Sequence, residues 1–225
     1  MHGHIVIVTD EIVDEYRLRY TVTVIFLIRH GETAGNAARI VQLPDVALSP
    51  RGMAQAERLA RRIAREGVAQ IVSSDLLRAR QTADYVQRAT GAPLAFEPLL
   101  HERNFGDIRG TAYADLDFDI FAPQYVPSNG ESWAVFHARV DRAWERVQAL
   151  AAAANGNLAV VTHGLVCRSL AGRHLCLPDG AVVPERWENA SVTIVDCPAP
   201  WRVTLLNCVA HLDDLETTTA SSGVA

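Results

Sequence analysis

Lysine is absent from this chain of 225 residues; all 21 basic side chains are arginine. That removes every mechanism needing a lysine amine, from Schiff-base chemistry to the phosphate-binding lysine of P-loop enzymes. Long apolar runs are missing too. Nothing approaches the roughly 18 uninterrupted residues of a membrane span, so no membrane partner is expected. Cysteine is sparse: Cys167, Cys176, Cys197 and Cys208 form no metal-like pairs and sit among apolar neighbours. They point to reduced thiols in the cytoplasm rather than a disulfide framework. An excess of positive charge is also lacking, and the formal net charge of −5 argues against nucleic acid as a partner. Residues 1–10 carry neither the basic start nor the long apolar core of a secretory signal, in keeping with a cytoplasmic location.

What remains is ordinary globular material, 49% hydrophobic and 21% charged, of a length that suits one domain. Its organising stretch is Phe26-Leu27-Ile28-Arg29-His30-Gly31-Glu32-Thr33. Val22, Val24, Ile25, Leu27 and Ile28 read as a strand buried on both faces. The strand stops at a cation and an imidazole, which are costly at a buried strand end unless they bind something. The adjacent glycine lets a ligand or another backbone come close. Ser49-Pro50 then opens a helix, with serine as N-cap and proline in the first turn. Ala56, Leu59, Ala60 and Ile63 form its apolar face and Gly67 ends it.

Further along, the pattern predicts strands over 68–73, 94–96 and 157–161 and a closing strand pair over 191–196 and 202–207. Helices are expected over about 76–88, capped by Ser74-Asp75, over 133–153 and over about 165–175, with a strand end and loop over 99–106. This alternation predicts an α/β fold of three layers, α/β/α, around a mostly parallel central sheet. The expected domain runs over 22–212, with a small cap over the C-terminal strand ends at about 107–132. An extension at 1–21, with an edge strand at 5–8, precedes it, and a flexible tail at 213–225 follows.

Loops beyond the carboxyl ends of parallel strands form the crevice of such sheets. Candidate ligands fall there: Arg29 with His30, then Arg78, Glu102 and His163. Two arginines and two histidines around one anion suit a phosphoryl group, whose charge is spread over several oxygens that guanidinium groups bind in pairs. Arg78 also lies in the first turn of its helix, where free N–H groups and the dipole favour an anion. Read alone, a histidine is more often structural than catalytic, Glu102 has an ion pair with Arg103 or Arg109 as its alternative, and Thr33 is equally a cap for its loop. Arg80 reads as a solvated charge. His2, His4, His101, His137, His174 and His211 read as structural or surface residues.

Taken together, these blocks resemble the histidine phosphatase superfamily, also called the phosphoglycerate mutase-like family. Leu27-Ile-Arg-His-Gly-Glu-Thr-Ala-Gly-Asn36 is similar to its signature, and Ser73-Ser-Asp-Leu-Leu-Arg78-Ala-Arg-Gln-Thr-Ala83 to its second block. His101-Glu102 with Phe105-Gly106, then Gly130-Glu131-Ser132, then Val161-Thr-His163-Gly164 follow in the family's order, over 24–212. The resemblance implies that His30 is the nucleophile, forming a phosphohistidine. It implies that Arg29, Arg78 and His163 hold the phosphoryl oxygens and that Asn36 donates to the same group. Glu102 would protonate the leaving oxygen and then deprotonate water, which requires a raised pKa. Gln42 is placed beside the substrate. No metal and no cofactor are called for. Two departures concern the substrate rim: Asp107-Ile108-Arg109-Gly110 replaces an aromatic-acidic-glycine sequence, and Gln42-Leu43 stands where a glycine often follows.

Mutases of this family carry a longer, basic insertion after the acid. Here residues 110–138 contain no arginine, but Asp115, Asp117, Asp119 and Glu131 among aromatic residues. That fits a bulkier, less anionic substrate. The expectation is a metal-independent, histidine acid-type phosphatase acting on a small-molecule phosphomonoester, a sugar, nucleoside or alcohol phosphate. A homodimer is left open. The alternatives are a phosphoglycerate mutase, a phosphoprotein phosphatase and a phosphate-binding protein without catalysis.

Overall fold

The apolar run of the sequence becomes β1 (Val24–Arg29), buried along its length up to Arg29. The computed structural model describes residues 23–213 and 215. The extension at 1–21 with its expected edge strand, Val22, the His2/His4 pair and nearly all of the tail lie outside the described residues. With β2 (Val68–Ser73), β3 (Leu94–Phe96), β4 (Asn157–Thr162), β5 (Val192–Asp196) and β6 (Val203–Cys208), β1 forms one sheet in the order β3-β2-β4-β1-β5-β6. Strands β3, β2, β4 and β1 are parallel, while β5 runs antiparallel to β1 and β6 antiparallel to β5. Leu27 is in register with Val160 and Arg29 with Thr162, so the exits of β1 and β4 lie side by side.

Alternate residues of β1 feed opposite layers, as the two-residue period of a strand requires. Phe26 and Ile28 meet Leu59 and Ile63 of α2 (Pro50–Ile63) and Ala83 and Val86 of α3 (Leu77–Thr90). The single turn α1 (Ala34–Ala37) precedes these two helices. Ile25 and Leu27 meet Phe136 and Trp144 of α4 (Trp133–Ala153) and Val166 and Leu170 of α5 (Gly164–Arg173). The result is three layers, α/β/α. The chain leaves β1 toward α2 on one face and leaves β4 into α5 on the other, so a crevice opens between the two exits.

The helix starts show which local signals held. Ser49 caps α2, its hydroxyl accepting from the Gly52 N–H at 3.0 Å. That helix ends at Ile63, before Gly67, which takes φ +59° in the turn into β2. Ser74-Asp75 does not cap α3, whose N-cap is Leu76 without a side-chain bond. The Ser74 hydroxyl faces His163, and the Asp75 carboxylate pairs with His101. Residues 99–106 contain no strand end. Pro98–Leu100 forms a 3-10 turn, which the Glu97 carboxylate caps by accepting from the Leu99 N–H at 3.1 Å.

Residues 106–131 are folded around a buried arginine. Arg103 donates to the carbonyls of Ile120 at 3.2 Å, Tyr125 at 2.8 Å and Glu131 at 3.0 Å, and its guanidinium lies 4.0 Å over the Trp133 ring. Phe105, Ile120 and Val41 form a small apolar cluster beneath the same segment. Gly106, at φ +57°, has the Ser128 carbonyl where a Cβ would stand. Among the described residues no helix is long and apolar enough to cross a membrane.

Candidate active site

Arg29 closes β1. Its N–H donates to the Ser191 carbonyl at 3.2 Å and its Nη1 to the Trp187 carbonyl, while its Nε is buried without a partner. His30 follows, 2% exposed. Its Nδ1 lies 2.7 Å from the Gly31 carbonyl. A carbonyl only accepts, so the ring proton sits on Nδ1 and the Nε2 lone pair is free. Burial, then the charges of Arg78 and Arg29, push the His30 pKa well below the ordinary imidazole range. The ring is therefore neutral, with a lone pair on Nε2. Gly31 permits this packing, because a Cβ there would lie 2.6 Å from the Gly52 carbonyl at the start of α2.

His163 leaves β4 with its ring 5.1 Å from that of His30, tilted by 60°. Its Nε2 is 2.8 Å from Ser74 Oγ, which also accepts from the Leu76 N–H at 3.3 Å. With the Ser74 hydroxyl donating to Nε2, the His163 proton sits on Nδ1, a buried donor without a partner. Burial and the nearby cations hold this ring neutral as well. Arg78, in the first turn of α3, donates from Nη1 to the Leu43 carbonyl at 3.1 Å, and its Nε too is buried and unpartnered. Burial brings its pKa down to about 10. Arg29 packs beside Gly164, where a Cβ would meet its Nε at 3.4 Å, ordinary van der Waals contact. Each buried donor left unmade costs about 1–3 kcal/mol. Donors of this kind suit an anion with several acceptor oxygens.

Glu102 is held by backbone, not by an ion pair. Its Oε1 accepts from the Arg103 N–H at 3.1 Å and its Oε2 from the Leu165 N–H, in the first turn of α5, at 3.3 Å. Burial raises its pKa against the opposing pull of those bonds and of Arg78 and Arg29. The loop that carries it is pinned by Arg139 on α4. That guanidinium donates to the carbonyls of Leu99 and His101 at 2.8 Å and of Glu102 at 3.2 Å, and to both Glu131 oxygens at 2.7 Å.

A second group of side chains fixes two amides. The Asn36 Oδ1 accepts from the Thr33 N–H at 3.2 Å and from Asn189 Nδ2 at 3.2 Å, and the same Asn189 Nδ2 donates to the His30 carbonyl at 3.1 Å. Thr33 caps α1, accepting from the Asn36 N–H, and its hydroxyl donates to Gln42 Oε1 at 2.7 Å. With both amide oxygens engaged, the NH₂ ends of Asn36 and Gln42 remain for a ligand. Ser74, Asn189 and Arg139 were not singled out by sequence reasoning. Ser74 reads locally as a cap, Asn189 acts across 153 residues of chain, and Arg139 reaches the Glu102 loop across 37 to 40. Among the described residues no group of three His, Cys, Asp or Glu side chains offers a metal site.

A family model for the histidine phosphatase superfamily (branch 1) matches residues 25–208. The chain is 30% identical over 207 residues to "Probable phosphoglycerate mutase GpmB" of Erwinia tasmaniensis, spanning 84% of this chain and 95% of that protein. Among solved structures it is similar to the alpha-ribazole phosphatase from Shigella flexneri, at 26% identity and a TM-score of 0.72 over 84% of this chain and 98% of that one. It is also similar to a mycobacterial glucosyl-3-phosphoglycerate phosphatase complexed with VO3, at 26% identity and a TM-score of 0.70 over 83% and 99%. With the match running from β1 through β6 and the family's blocks gathered at one crevice, this chain belongs to the histidine phosphatase superfamily, branch 1.

Proposed function

We propose that the chain is a metal-independent phosphomonoester hydrolase of small molecules, working through a phosphohistidine at His30. The observation that carries the reading is the neutral, buried His30 ring with Nε2 free, set beside donors on Arg29, Arg78 and His163 that have no partner. In the first step the Nε2 lone pair attacks phosphorus as the bond to the leaving oxygen breaks, and the Glu102 carboxyl gives that oxygen its proton. In the second, water attacks phosphorus, Glu102 takes the water's proton, the P–N bond breaks, and phosphate leaves with His30 restored. Arg29, Arg78, the His163 Nδ1–H and the Asn36 amide meet the oxygens on which charge builds up, the part that Mg²⁺ plays in other phosphoryl transfers.

Phosphatase names among the similar solved structures favour hydrolysis. The phosphoglycerate mutase name of the 30% identical relative favours phosphoryl return instead. The two differ in what happens to the phosphoenzyme. The test is release of inorganic phosphate from p-nitrophenyl phosphate and a panel of natural phosphomonoesters with EDTA present. Steady release is the expected result. Interconversion of phosphoglycerates without phosphate release would overturn the hydrolase reading, and loss of turnover with EDTA would overturn its metal independence.

A further inference from the structure

The Arg29 guanidinium leans on a single peptide group. Among the described residues its only acceptor is the Trp187 carbonyl, and Trp187 lies in a stretch, 181–191, that forms neither helix nor strand. No sheet ladder aims that carbonyl. The same stretch grips the His30 backbone, since the Ala190 N–H and Asn189 Nδ2 both donate to the His30 carbonyl at 3.1 Å. What orients the peptide groups around Trp187 is a side chain from β6. Asn207 Oδ1 accepts from the Glu188 N–H at 2.9 Å, and its Nδ2 donates to the Arg186 carbonyl at 3.1 Å.

Those two bonds fall on the peptide groups on either side of Trp187. The Glu188 N–H and the Trp187 carbonyl belong to one planar trans peptide, in which N–H and C=O point in opposite directions. With the N–H turned to Asn207, the carbonyl faces the other way, toward Arg29. Turned over, the same peptide would set an N–H against the guanidinium. Asn207 reaches the loop because β6 is bulged at this point. Between the pairs Val192↔Cys208 and Ile194↔Leu205, one residue of β5, Thr193, stands against two of β6, Leu206 and Asn207. A bulge of this kind re-aims a side chain out of the regular strand pattern. Asn207 takes φ +48°, a conformation asparagine tolerates better than most residues, and its N–H goes to Thr193 Oγ1 at 2.9 Å. We propose that Asn207 is a positioning residue for phosphoryl transfer: its amide locks the Trp187–Glu188 peptide so that the Trp187 carbonyl holds the Arg29 guanidinium at the phosphoryl pocket. The inference rests on the hydrolase reading above, in which Arg29 meets the phosphoryl oxygens. A loop held only by its buried Trp187 ring would not need the amide, so removing the amide separates the two.

Asn207→Gly removes the amide and still suits the positive φ. In folded protein, checked by its melting curve, kcat/KM on p-nitrophenyl phosphate should fall about tenfold, the worth of one or two hydrogen bonds, and calorimetric affinity for inorganic phosphate by a similar factor. Should that variant not fold, Asn207→Ser, too short to reach both peptide groups, takes its place. Asn207→Asp keeps an acceptor for the Glu188 N–H and should recover part of both losses. In an Arg29→Met background the loss from Asn207→Gly should shrink to about twofold or less, because the two residues act through one contact. Wild-type values in Asn207→Gly, no recovery in Asn207→Asp, or a loss undiminished beside Arg29→Met would each overturn the proposal. Absence of turnover by the wild-type protein would count against the hydrolase reading instead, and phosphate affinity then decides the role of Asn207 alone. Weaker binding by Asn207→Gly than by wild type would support it, and equal binding would overturn it.

Discussion

His30 is buried and Glu102 partly so, and burial moves their proton affinities in opposite directions: down for the imidazole, up for the carboxyl. Burial thereby favours the uncharged form of each, the form that the proposed mechanism asks of it: a free lone pair on one and a transferable proton on the other. Replacing Glu102 by Gln should therefore slow hydrolysis of esters with poor leaving groups by about 10²-fold or more, a usual contribution of a general acid, and slow p-nitrophenyl phosphate far less. With poor leaving groups the wild-type rate should fall as pH rises through the raised Glu102 pKa. Stability follows the same sign. Folded Glu102 keeps its proton to higher pH than the unfolded chain does, so its stabilising share is full below the unfolded value and lost as pH rises through the folded one. Glu102→Gln should then raise the melting temperature relative to wild type more at pH 8 than at pH 4, and an equal change at both would contradict it. At the same scale, Asn189 donates to the His30 carbonyl and to Asn36 Oδ1. Asn189→Asp keeps the shape but sets acceptor against acceptor, so kcat/KM should drop about tenfold, the worth of one or two lost hydrogen bonds. The drop should shrink in an Asn36→Ala background, whereas a purely structural defect would cost the same in both.

Elements differed in how much of them the sequence made legible. β1, α2 and α4 carry their own signals: a run of β-branched and aliphatic residues, a Ser-Pro start, and an apolar face repeated through 21 residues. The start of α3 did not, because Ser74 and Asp75 have capping side chains and tertiary partners, and the partners win. The loop bearing Glu102 is the extreme case. Its shape is set by Arg139 and Glu131, which lie on or before a distant helix and reach back to three of its carbonyls and to the Asn104 N–H. Breaking that nearly buried pair should be costly. Arg139→Met should lower stability by about 3 kcal/mol, as removal of one partner from a buried ion pair does, measurable by urea unfolding. It should also slow poor leaving groups more than good ones, since Glu102 loses a carbonyl anchor. An equal loss on both would mean that the pair only supports the fold.

At the scale of the whole molecule, the site exists because β1 and β4 are neighbours whose following helices take opposite faces of the sheet. That adjacency brings two histidines 133 residues apart to ring contact, and the two His-Gly strand ends in the sequence hinted at it. The unpartnered donors around them follow from the same geometry and were not legible, since a side chain's lack of a partner is a property of the assembled fold. The account's central claim is covalent: phosphate passes through His30. Its most direct test is rapid acid-free quenching of the wild-type protein and of His30→Ala with a ³²P-labelled phosphomonoester, followed by peptide mapping. The expected result is an alkali-stable, acid-labile label on the peptide containing His30, formed and lost at rates consistent with turnover and absent from a folded His30→Ala protein. Label on another residue, or undiminished turnover by His30→Ala, would contradict it.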